Sequence, residues 1–111
     1  MKQDLEVKSQ VKKILKLVEE LAPGRSVELR IPPYAAIQCV EGSKHRRGTP
    51  PNVVEMDAQT LLKLSKSPQN WDQLCSVGAI SASGTNSNLA ELFTRVSKLI
   101  SNFDEELSNG K

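Results

Sequence analysis

The densest group of reactive side chains is Lys44-His45-Arg46-Arg47, three fixed cations beside the only imidazole in the chain. Cations gathered this way can hold a phosphate or carboxylate through charge-assisted hydrogen bonds, and the imidazole strengthens the hold as it gains a proton. The group is therefore a candidate anion or headgroup site. A solvated loop between Gly42 and Gly48 carries the same residues without any such role.

Nothing else in the chain assembles into a catalytic centre. With a single histidine, any Ser-His-Asp or Cys-His arrangement would have to use His45, and no nucleophile elbow surrounds it. Cys39 and Cys75 lie in apolar segments, not in metal-ligand spacing, so they read as buried free thiols. One His and two such Cys do not supply the three or four ligands of a zinc site, and no phosphate-binding glycine loop is present. The expectation is a protein without catalytic residues, metal or cofactor.

The elements that would position a site can be read from hydrophobic period. From Leu5 to Ala22, Val7, Val11, Ile14, Leu15, Val18, Leu21 and Ala22 share one helical face, with Lys8, Lys12, Lys13, Lys16 and Glu20 away from it. Pro23-Gly24 ends that helix. Val27, Leu29 and Ile31 then alternate with polar residues, as in a strand wet on one face. Tyr34 to Val40 and Val53 to Met56 are less polar on both sides. They read as inner strands, neighbours in one sheet, joined by the long loop from Glu41 to Pro51.

Beyond the loop, Asp57 is placed to cap a helix carrying Leu61, Leu62 and Leu64, and Ser67-Pro68 redirects the chain into a segment around Trp71 that Gly78 closes. Gly78 to Gly84 bounds a fourth strand. Asn88-Leu89-Ala90-Glu91 forms a capping box before a long helix whose Leu89, Leu92, Phe93, Val96, Leu99, Ile100, Phe103 and Leu107 share one face. Such a stripe packs a core, or it covers an apolar cavity. Trp71 carries the same two readings, core aromatic or ligand wall.

Val53-Val54-Glu55-Met56, Asp57 with its leucine helix, Trp71-Asp72-Gln73-Leu74 and Gly78-Ala79-Ile80-Ser81-Ala82-Ser83-Gly84 follow in an order that resembles the C-terminal half of a sterol carrier protein domain. Upstream, Arg30-Ile31-Pro32-Pro33-Tyr34-Ala35-Ala36-Ile37-Gln38-Cys39 and Gly48-Thr49-Pro50-Pro51-Asn52-Val53-Val54-Glu55 are similar to the small bacterial, largely actinobacterial, branch of that family. The resemblance spans about residues 25 to 95. It implies an α/β (α+β) fold, a mostly antiparallel sheet of about five strands covered by helices, of which the sequence itself places four. It further implies noncatalytic binding or carriage of a lipid or other apolar small molecule, in a pocket lined by Ile37, Cys39, Trp71, Leu92, Phe93, Val96 and Ile100.

The other function class consistent with the same residues is a protein-interaction or self-association module with a filled core, giving a protein partner or a homodimer. With 111 residues and a net charge of +2, one domain over residues 1–111, ordered from 5 to 107, is expected. One Tyr, one Trp and two Phe leave no aromatic interleaving for nucleic acid, while the basic loop allows a weak contact with an anionic membrane surface. No leader-like or membrane-spanning run is present, and Ser108-Asn109-Gly110-Lys111 is not a peroxisomal ending, so the cytoplasm is the expected compartment.

Overall fold

The computed structural model of the chain describes residues 2–42 and 51–109, with side chains over 4–42 and 51–102. Helix α1 (Lys2–Leu21) buries Val11, Ile14, Leu15 and Val18 and leaves Lys8, Lys12, Lys13 and Lys16 exposed, as the period of its apolar residues requires. It begins three residues before the expected Leu5. The Ala22 N–H donates to the Val18 carbonyl at 2.9 Å, closing the last turn just before Pro23-Gly24.

Four strands follow: β1 (Val27–Ile31), β2 (Ala35–Cys39), β3 (Asn52–Met56) and β4 (Ile80–Ser83). Among the described residues they form one sheet in the order β2-β1-β3-β4, where the expectation was about five strands. Two antiparallel pairings, β1 with β2 and β3 with β4, flank a parallel pairing of β1 with β3. The sheet is thus mixed, with antiparallel pairs in the majority.

Two strand assignments need correction. β1 lies between β2 and β3, so the two runs read as neighbours are not, and β2 is an edge strand rather than an inner one. The misreading comes from alanine. Ala36 and Gln38 face solvent, and alanine counts as apolar in a pattern while costing little when wet. Register places Ile37, Leu29 and Val54 side by side on the covered face, and Ala36, Arg30 and Glu55 side by side on the open one. There Arg30 pairs with Glu28 at 3.1 Å and with Glu55 at 3.8 Å.

Helices α2 (Ala58–Lys66), α3 (Trp71–Ser76) and α4 (Ala90–Asn109), with a 3-10 turn over Pro68–Asn70, complete the layer that includes α1. α1 lies along β2. α4 is packed chiefly on α1, α2 and the 3-10 turn, so it reaches the sheet through side chains and not by lying directly on it. The Asn88 side chain accepts the Ala90 N–H at 2.9 Å. The reciprocal bond from Glu91 that a capping box would add is absent among the described residues, and α4 continues to Asn109, past the expected end of order at Leu107.

Asp57 caps α2 as its position predicts, accepting the Thr60 N–H at 2.8 Å. That backbone hydrogen bond holds the Asp57 carboxyl below its usual range. Asp57→Ala is expected to cost about 1 kcal/mol at pH 7, the usual loss for a helix cap. Because the folded value is depressed, this stability is present above the unfolded carboxyl's pKa and disappears as pH falls through the folded one. Urea unfolding at neutral pH and near pH 3 checks this: the gap between parent and variant should narrow in acid.

A polar tie at one end of the central strands was not foreseen. Asn52, buried at the start of β3, donates from Nδ2 to the Ser26 carbonyl at 2.8 Å and accepts from the Asn86 N–H at 2.9 Å through Oδ1. A buried amide satisfied on both sides joins the entry of β1 to the turn that leads into α4. The end of α1 and the start of α4 are therefore gathered on one side of the sheet. Gly84, at a φ of 105°, makes this possible, since a Cβ there would strike the Asn52 side chain.

Candidate ligand-binding site

The seven residues expected to line an apolar site come from three elements. Ile37 and Cys39 are on β2, Trp71 opens α3, and Leu92, Phe93, Val96 and Ile100 lie on α4. Local pattern explains each placement. Ile37 and Cys39 are two apart and pair with Leu29 and Val27 on the covered face, while the α4 residues recur at the three- and four-residue spacing that keeps them on one stripe.

Folding places all seven in the domain's one hydrophobic core, which α1, β1, β3 and α2 also build. Cys39, Trp71, Leu92, Phe93 and Val96 are buried, and Ile37 and Ile100 are half-buried against them. Around them stand Leu29, Val54, Leu61 and Leu64, each fully removed from solvent. These side chains meet one another through dispersion and burial, with no charge among them. Burial, with a smaller contribution from the Glu19 carboxylate, pushes the Cys39 thiol up to about 11, so this sulfur is neutral at physiological pH. The half-buried Cys75 thiol is also raised, by burial and then by Asp72. Neither is poised as a nucleophile.

The basic group Lys44, His45, Arg46 and Arg47 lies outside the described residues. Lys8, Lys12, Lys13 and Lys16 are exposed on α1 together with Glu6, Glu19 and Glu20, and Leu5 near its start is 67% exposed. Among the described residues, no group of three or more His, Cys, Asp or Glu could hold a metal ion. No helix there is long and apolar enough to cross a membrane.

A surface depression of about 410 Å³ runs along α2, lined by Asp57, Gln59, Thr60, Leu62, Lys63 and Lys66. Leu62 is the one residue it shares with the apolar cluster. Five of its six lining residues are polar or charged and all come from α2 and its cap, a lining poorly matched to an apolar chain.

Sequence reasoning missed Asn52 and Ser26. The signal was present for the first: an asparagine beginning a run of apolar strand residues is out of place unless its amide is used. For Ser26 there was none, since its buried hydroxyl has no partner among the described residues and rests against Gly42.

Compared with known protein families, residues 3–94 match the model of the bacterial SCP ortholog family, SCP standing for sterol carrier protein. No curated protein matches the sequence.

Proposed function

We propose that this chain, which belongs to the family of bacterial sterol carrier protein orthologs, binds a lipid or other apolar small molecule and carries it without chemical change. The observation that supports this reading is the convergence of β2, α3 and α4 on the apolar core, with α4 contributing a continuous stripe from Leu92 to Ile100. α4 is the element whose outward shift would admit a ligand, because its half-buried Ile100 packs at the margin of that core. A weak contact with an anionic membrane surface belongs to the same reading. The exposed lysines of α1 would supply attraction that fades with salt, and Leu5 an apolar foothold among them.

Ile100→Trp tests the site. The position is half-buried, so added bulk costs little in folding yet occupies the space a ligand would need. Native mass spectrometry after incubation with fatty acids, acyl-CoAs and sterols should show a bound apolar mass on the parent and several-fold less on the variant, at nearly equal thermal stability. A panel that leaves no bound mass on the parent and no saturable change in Trp71 fluorescence refutes the carrier reading.

A further inference from the structure

The longest stretch without Asp, Glu, Lys or Arg runs from Gln73 to Ala90, 18 residues in a chain that is one quarter charged. It contains the whole of β4, and β4 is an edge of the sheet. Ser81, Ala82 and Ser83 are all exposed, and along the strand's outer side the backbone groups have no strand partner among the described residues. Folded chains blunt such an edge with a lysine, a proline, a bulge or a short strand, and of these β4 has only its length of four residues. The other edge differs: Arg25 lies across β2, its Nε donating to the Gln38 side chain at 3.1 Å.

Two features add apolar surface to this edge. Ala82 pairs with the fully buried Val54 and so stands on the helix side of the sheet, yet it is exposed because the helix layer stops short of it. Val77, 68% exposed, ends α3, the helix packed on β4. Charge-free surface with apolar residues next to unpaired backbone is the makeup of an interface centre.

We infer that β4 pairs antiparallel with β4 of a second copy, making one continuous eight-stranded sheet across a two-fold axis at Ala82. An antiparallel pair is the one strand arrangement that a perpendicular two-fold generates, so both copies use the same edge and the contact closes. The axis sets Ser81 opposite Ser83 of the second copy and Ala82 opposite itself, with no like charges facing one another. It also puts both helix layers on one side, where Val77 and Ala82 of the two copies cover each other. Three residues of β4 pair with their counterparts, Ile80 falls opposite Gly84, and one exposed valine a side adds to them; so small a contact makes a weak dimer, with a dissociation constant of the order of 10–100 μM.

Sedimentation equilibrium of the full chain from micromolar to near-millimolar concentration should show the mean mass rising toward twice the monomer. Ser81→Lys with Ser83→Lys sets lysine against lysine at both cross-strand positions and should abolish that rise. Ser81→Lys with Ser83→Glu sets lysine against glutamate at the same positions and should restore it. Both serines are exposed, so far-UV circular dichroism should be unchanged; if the double lysine chain fails to fold, Val77→Ser, which should weaken association several-fold, replaces it. A parent that stays monomeric, a double lysine variant that still dimerises, or a Lys/Glu variant that does not regain the parent's association overturns the inference. These readouts are independent of whether the apolar cluster takes up a ligand.

Discussion

Gly24→Ala is expected to lose about 3–5 kcal/mol of stability, enough to remove a large share of a domain's usual margin. Gly24 has a φ of 152°, and a Cβ built on it would fall on the Val40 carbonyl and the Glu41 nitrogen. These are backbone atoms, so no rotamer change relieves the clash. The Val40 N–H donates to the Ala22 carbonyl at 2.7 Å and its carbonyl accepts the Ser26 N–H at 3.0 Å, and separating the two segments breaks both. Each such bond is worth about 1 kcal/mol net, with strain at a residue forced out of its ordinary backbone region adding about 1–3 kcal/mol. This junction ties the end of α1 to the end of β2 and so fixes where Cys39 lies beneath the helix layer. Chemical denaturation should show the midpoint falling sharply at an unchanged slope, whereas Gly78→Ala should cost only about 1–2 kcal/mol, the backbone strain of an alanine at a φ of 82°, since a Cβ there meets no atom within 4 Å.

The helices and their ends were readable because their signals are local. Val11, Ile14, Leu15 and Val18 announce a buried face by spacing alone, Pro23-Gly24 and Gly78 mark stops, and Asp57 takes the cap its position offers. Strand order was not readable in the same way. The parallel pairing of β1 with β3 joins Glu28 to Val53 and Leu29 to Val54 across 25 residues, and no local pattern distinguishes it from the sequential pairing of β2 with β3. Nor does the apolar character of Ala35 and Ala36 say whether β2 lies inside or at the edge. Burial of the residues proposed as the wall was legible as the rest of the core was: Trp71, Phe93 and Val96 are apolar and periodic. That periodicity is identical for a packed cluster and for the wall of a cavity, and composition does not separate them.

Phe93→Ala addresses this directly, and its expected cost is about 3–5 kcal/mol if the ring is packed on all sides, lowering the melting temperature by roughly 10–25 °C. Phe93 is wholly buried on the first turns of α4, where its N–H donates to the Leu89 carbonyl at 2.9 Å, so the helix persists and the loss lies in the side chain. A ring that forms one wall of an occupied site leaves a different signature. Its removal enlarges a space already suited to an apolar chain, and a ligand bound only by the folded state returns stability in proportion to the logarithm of its concentration over its dissociation constant. Leu61→Ala on α2 is the control, another fully buried side chain whose loss opens a cavity of its own outside the proposed wall. Melting temperatures measured with and without a long-chain fatty acid should rise for Phe93→Ala by more than for Leu61→Ala. Equal rises would mean that engineered voids simply admit hydrocarbon, as apolar cavities do, and Phe93 would then be core and not wall.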